Sequence, residues 1–166
     1  GKLPSLEKCF AENTRMYMHD NEVIALSVFR DGIAPEWEDK VNANSAEWGF
    51  KAEIDVEDLN RAFTELVLST VGETLEPEEM DLHIVGLRAV NKSNRSKRMF
   101  KLEIWLRSAN RERGNRTLKA IQTVLNEQRI QIPPLNWTPH TVQANNAKLF
   151  IERVRNENAA AAALIK

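Results

Sequence analysis

A single cysteine, Cys9, leaves this sequence unable to form an internal disulfide, and no charged segment leading into an apolar run with a small-residue cleavage site opens it. Both features point to a reducing compartment, and the chain is expected in the cytoplasm, with the nucleus as a candidate additional site. Long hydrophobic runs are missing too. The longest, Ala159 to Ile165, falls far below the roughly 20 residues of a bilayer-spanning helix, so no membrane span is expected. Neither sign of charge dominates: 23 Lys and Arg face 24 Asp and Glu, which excludes a whole-molecule field for polyanions and confines any anion site to a local patch. The constellations of catalysis are absent as well. His19, His83 and His140 stand isolated, Cys9 has no cysteine or paired histidine near it, and no Gly-rich phosphate loop, zinc spacing or nucleophile elbow occurs. Glu57-Asp58 and Glu76 to Glu79 read as the first turn of a helix and a solvated loop. The chain is expected to bind rather than to catalyse, without cofactor or metal.

What is present suits one domain. With 166 residues and 42% hydrophobic, a single core can bury roughly two thirds of the surface exposed by the unfolded chain. We place this domain over residues 1–146 and read residues 147–166, with Asn156-Glu157-Asn158 and a run of alanines, as a C-terminal extension. Ser5 caps a predicted helix running to about Arg15, with Leu6, Cys9, Phe10 and Ala11 at helical spacing. Val23 to Phe29 reads as a strand ending at the Asp31-Gly32 turn, followed by a loop that holds Pro35 and Trp37. Trp48 to Ile54 alternates, placing Glu47, Lys51 and Glu53 on a wet face. Asp55 caps a helix whose stripe of Val56, Leu59, Phe63, Leu66, Val67 and Thr70 ends at Gly72, expected as a left-handed cap. Two strands, His83 to Val90 and Met99 to Arg107, flank a polar tip and predict an antiparallel hairpin; a helix from Arg111 to Gln128 follows. The sum is an α+β fold, an antiparallel sheet covered on one face.

Some residues stand where this packing does not need them. Phe100, Leu102, Ile104 and Leu106 share one face of their strand, which leaves Lys101, Glu103, Trp105 and Arg107 on the wet one. There Trp105 either packs under a loop or forms an aromatic wall. Arg88 and Lys101 flank a tip holding Lys92, Arg95, Lys97 and Arg98, with no carboxylate among them in sequence. This is either a solvated turn or a site for a base and its phosphates. Trp37, between Glu36 and Glu38, either anchors its loop or stacks on a cationic ring, with Glu38 as an acceptor for ring N–H groups.

The stretch GIAPEWEDK, Gly32 to Lys40, followed by Glu47-Trp48, resembles the cap-binding loop of the eukaryotic translation initiation factor 4E family. LNRAFTELVLSTVGET, Leu59 to Thr74, is similar to that family's long second helix, and VGLR (Val85 to Arg88) and KLEIW (Lys101 to Trp105) to its phosphate-binding strands. The resemblance implies a curved antiparallel sheet backed by about three helices on its convex face, with the 7-methylguanosine cap of mRNA on the concave side. By position, Trp37 would be one of two indoles sandwiching the methylated guanine, Glu38 would accept from its edge, Trp105 would contact the methyl group, and Arg88 and Lys101 would hold the triphosphate. Lys92, Arg95, Lys97 and Arg98 lie in a tip longer than the family's and are candidates for phosphate or RNA contacts. The family's first two strands and other stacking tryptophan would fall before Gly1; Gly86 and Glu47 replace polar and basic residues usual in the family. Leu6, Phe10 and Leu68 would match the dorsal surface that takes a short helix from a 4G-like scaffold or a 4E-binding regulatory protein. The implied function is cap binding in translation initiation or its regulation; the second reading is an interaction module of the same fold with weak or no cap binding.

Overall fold

The computed structural model describes residues 14–19, 22–76 and 83–141. Within them lie six strands: β1 (Thr14–His19), β2 (Glu22–Phe29), β3 (Ala46–Ala52), β4 (Ile84–Asn91), β5 (Phe100–Leu106) and β6 (Asn136–Pro139). They form one sheet in the order β1-β2-β4-β5-β3-β6, with every neighbouring pair antiparallel. Two helices, α1 (Val56–Val71) and α2 (Arg111–Glu127), cover one face. The α+β class and antiparallel sheet are as the sequence predicts, but the described residues contain two helices rather than three. Residues 5–13 of the expected first helix lie outside the described residues, and Thr14 and Arg15 belong to β1 instead. The extension over residues 147–166 also lies outside them.

The core follows from two periodicities meeting. Every second residue of β5, Leu102, Ile104 and Leu106, is fully buried against Leu59, Phe63, Leu66 and Val67 of α1 and Ile121 and Leu125 of α2. Asp55 caps α1 by accepting from the Glu57 N–H at 2.8 Å, and Asn110 caps α2 through the Arg113 N–H at 3.0 Å. At the far end of α1 the expected left-handed Gly72 is not found. Gly72 keeps φ at −78° and donates to the Leu68 carbonyl at 2.8 Å, so the reversal falls one residue later, on Glu73 with φ of 60°. No helix among the described residues is long and apolar enough to cross a membrane.

Close backbone approaches set the sheet's shape. Trp48 donates from Nε1 to the Gly114 carbonyl at 2.7 Å, its ring meets Trp137 edge-on at 5.1 Å, and the Arg111 guanidinium lies 4.6 Å from its centroid. This tripod ties α2 to β3 and β6. Gly49 is pressed against β5, where a Cβ would come within 2.6 Å of the Leu102 carbonyl oxygen. Backbone on that side cannot turn away as a side chain could. Gly49→Ala is therefore expected to destabilise the fold by about 1–3 kcal/mol, read as a lower urea midpoint; an unchanged midpoint would show that β3 and β5 have slack.

Candidate functional site

The face of the sheet away from the helices is assembled around one loop. β2 ends at Phe29, and the predicted Asp-Gly turn forms, with Gly32 at φ of 75° and the Ile33 N–H donating to the Arg30 carbonyl at 3.1 Å. Arg30 braces this corner. Its Nε donates to the Ile84 carbonyl at 2.6 Å and its Nη2 to Glu76 Oε2 at 3.0 Å, while Glu76 Oε1 accepts from the Ile84 N–H at 2.6 Å. Glu76, expected in a solvated loop, is instead buried, because Arg30 and a strand N–H supply partners for both oxygens.

Beyond the turn, side chains replace missing secondary structure. Asp39 accepts from the Ala34 N–H at 3.0 Å and the Val41 N–H at 2.9 Å, and Asn42 donates from Nδ2 to the Ala34 and Glu36 carbonyls at 2.8 and 2.9 Å. Those two backbone donors hold the Asp39 carboxyl below its ordinary value. The loop so fixed carries Trp37, half-buried, onto a cluster of Phe29, Val85 and Trp105, with Ile33 and Val41 beside it. Its flanking acids Glu36 and Glu38 stay exposed. Trp37 is thus both loop anchor and partly accessible ring, and its Nε1 has no hydrogen-bond partner.

Trp105 does not lie on a wet face. It is wholly buried, edge-on to Phe29 at 5.2 Å and to His140 at 4.3 Å. The reason is twofold: the Trp37 loop folds down over this end of β5, and Gly86 leaves room for the Phe29 ring, whose nearest atom would sit 2.4 Å from a Cβ there. Arg88 is half-buried between Ser27 on β2 and Glu103 on β5, and its charge acts on Glu103.

Glu47, expected on the wet face of its strand, is buried at 2% exposure. Lys101 Nζ donates to Glu47 Oε1 at 3.0 Å and also to Glu103 Oε1. The other Glu47 oxygen lies 3.2 Å from His140 Nε2, and His140 Nδ1 lies 2.7 Å from Ser45 Oγ. The Asn42 carbonyl oxygen also lies 3.2 Å from His140 Nδ1, so both ring nitrogens have polar neighbours. Burial pushes Glu47 up, but the His140 hydrogen bond and the charge and hydrogen bond of Lys101 outweigh it and hold the group below its ordinary value. Glu103 goes the other way, raised by burial and then by the charge of Glu47. For Lys101, burial is outweighed by the two carboxylates, which raise it. The expected run of cations without a carboxylate is therefore corrected: Glu103, two residues along β5 on the same face, and Glu47, brought across from β3, both pair with Lys101. His140 was missed altogether, being isolated in sequence and delivered by the short β6.

The other predicted residues divide cleanly. Lys92, Arg95, Lys97 and Arg98 are all exposed on the tip between β4 and β5. Leu68 is 40% exposed on α1, while Leu6 and Phe10 lie outside the described residues.

A helix-backed antiparallel sheet whose opposite face carries indoles, carboxylates and cations makes this a small α+β domain. The sequence profile described as Eukaryotic initiation factor 4E matches residues 9–153, and the chain belongs to that family. It is 29% identical over 112 residues to a Candida albicans eukaryotic translation initiation factor 4E, covering 63% of this chain and 50% of that protein. It is 31% identical over 84 residues to factor 4E-2 of Schizosaccharomyces pombe, covering 51% and 32%. Among solved structures, C. elegans eIF4E-3 with the 4E-binding protein Mextli and a cap analog superposes with a TM-score of 0.57 at 26% identity, over 73% of this chain and 65% of that one. A schistosome eIF4E complexed with m7GpppG and 4E-BP gives 0.55 at 26%, over 72% and 62%. The chain thus spans a half or less of these curated relatives and under two thirds of the solved chains.

Asp39 makes a test of the loop. Its folded-state value is depressed, so its stabilisation is full above the ordinary value of 3.8 and lost as pH falls through the lower folded one. Near neutral pH only mutation removes it. Asp39→Ala should speed hydrogen exchange at the Ala34 and Val41 amides about ten-fold or more while leaving β5 amides unchanged, since local opening then meets no acceptor. Unaltered exchange at both amides would contradict this account of the loop.

Proposed function

We propose that this chain binds the 7-methylguanosine cap of mRNA and acts in translation initiation or its regulation in the cytoplasm, as a binder with no catalytic step. The observation that carries the reading is the Trp37 loop: an indole half-exposed above an aromatic floor, fixed by Asp39 and Asn42, with the exposed Glu38 carboxylate beside it. Methylation at N7 makes guanine cationic. A tryptophan face attracts such a ring by roughly 0.5–2 kcal/mol through its quadrupole, beyond ordinary stacking. Glu38 would accept two N–H bonds from the edge of the base, a charge-assisted pair that adenine cannot supply. Trp105 is the floor beneath Trp37 rather than an open wall, so it reaches a ligand only when the loop shifts. Arg88 and Lys101 would face the phosphates, and a phosphate at Lys101 must compete with Glu47 and Glu103 for its three N–H donors.

Cap ligands in the C. elegans and schistosome relatives support this assignment, as does the family membership. Their Mextli and 4E-BP partners support a second contact surface. On this chain it would use Leu68, Leu6 and Phe10 to take an apolar helix of a 4G-like scaffold or a 4E-binding regulator; Val71, 47% exposed, extends the apolar strip beside Leu68.

Trp37→Ala is expected to weaken binding of a 7-methylguanosine nucleotide by about 1–3 kcal/mol, the range for losing one aromatic stack on a base. Calorimetry on the folded variant reads it directly. An unchanged Kd would remove Trp37 from the site and with it the main support for cap binding.

A further inference from the structure

We propose that the tip between β4 and β5 is an RNA-backbone contact, which carries the attraction for polyanion that the sheet's own lysine cannot. The inference rests on the cap reading and extends it past the triphosphate. Three observations converge on it. The first is where charge is already spent: Lys101 is held by Glu47 and Glu103, two buried carboxylates, and Arg88 also sits opposite Glu103. This part of the sheet offers a polyanion little net positive field. The second is where charge is available. Lys92, Arg95, Lys97 and Arg98 are exposed, none makes an ion pair with another described residue, and no acidic residue occurs from Arg88 to Lys101.

The third is position. Along the hairpin the rows run from Gly86 and Trp105, under the Trp37 loop, through Arg88 and Glu103, to Val90 and Lys101, and then into the tip. At about 3.3 Å per residue, Arg98 stands roughly 20 Å from the Trp105 row, beyond the reach of a base and toward the nucleotides that follow it. The tip is also preset. Asn94 Oδ1 accepts from the Ser96 N–H at 3.0 Å and the Lys97 N–H at 2.9 Å, and Asn91 Oδ1 from the Ser93 N–H at 2.9 Å. The Lys92 N–H donates to the Met99 carbonyl at 2.7 Å. A turn already ordered loses less freedom on binding. Nucleic acid fits better than a bilayer, because residues 92–98 carry four exposed cations and no hydrophobic side chain to insert; the exposed Ile24 and Val56 line a groove with Asn91 and Phe100 at the tip's base.

The test compares wild type with a variant combining Lys92→Gln, Arg95→Gln, Lys97→Gln and Arg98→Gln, matched in thermal midpoint. Probes are a capped dinucleotide, a short capped RNA oligonucleotide, the same oligonucleotide uncapped, and anionic phospholipid vesicles, each titrated across a salt series. Wild type should bind the capped oligonucleotide about ten-fold or more tighter than the dinucleotide; the variant should lose that advantage yet keep its dinucleotide affinity. Its salt slope should flatten by about 0.7 for each lost contact to single-stranded RNA. Equal losses for both capped ligands would move the tip onto the triphosphate, and no loss for either would make it a solvated turn; both overturn the proposal. Vesicle binding as strong as RNA binding and lost in the variant would overturn the RNA assignment. If capped and uncapped RNA bound alike in wild type and both fell in the variant, the cap reading would fail while the tip contact stood.

Discussion

The far face of the sheet depends on one buried carboxylate. Glu47 on β3 gives one oxygen to Lys101 on β5 and the other to His140, just beyond β6, and so fastens three adjacent strands across the face that the helices do not cover. Removing a carboxylate from water costs of order several kcal/mol, so an unpaired Glu47 could not stay inside. Its two partners make burial tolerable, and they in turn fix neighbours. His140 stands against Trp105 and hydrogen-bonds Ser45, whose hydroxyl also donates to the Asn42 carbonyl at 2.6 Å. Asn42 then holds the Trp37 loop. A path of direct contacts therefore runs from the ion pair to the ring that would meet a ligand.

Glu103 shares Lys101 but not this security. Its Oε2 is buried without a hydrogen-bond partner, and the adjacent charge of Glu47 adds to burial in raising it. Glu47 is lowered because both its oxygens have partners; Glu103 is raised because only one of its oxygens does. Two carboxylates competing for one ammonium titrate as a pair, so lowering the pH loosens the grip on Lys101 first through Glu103. A site built this way ties its central lysine to two carboxylates of its own sheet.

Local pattern carried the elements that form their own signal. α1 was legible because Asp55 and the stripe from Leu59 to Val67 agree, the β4–β5 hairpin because two alternating runs flank a polar tip, and the Trp37 loop because nothing periodic buried its indole. β1 was not, since Thr14 to His19 lacks alternation, nor β6, four residues with a proline at the sheet's edge. The larger misreading was of depth. Alternation says which side of a strand a residue takes; it cannot say that a loop from residues 30–45 will close over that side. Trp105, Glu47 and Glu103 therefore took the expected face and proved buried there. Of the two partners of Lys101, Glu103 is its neighbour two residues along β5, while Glu47 comes from register, which pairs Glu47 with Trp105 across β3 and β5 and is invisible along the chain.

The most direct measurement of the central claim is a titration of this protein with 7-methylguanosine triphosphate and with unmethylated guanosine triphosphate under the same conditions. The two ligands have the same phosphates and the same guanine edge, and differ in the methyl group and the positive charge it confers on the ring. A site whose base contact is the Trp37 indole must bind the methylated nucleotide about ten-fold or more tightly, the consequence of roughly 1.4 kcal/mol of cation–π preference. Equal affinity for the two, or binding of neither, would contradict the account.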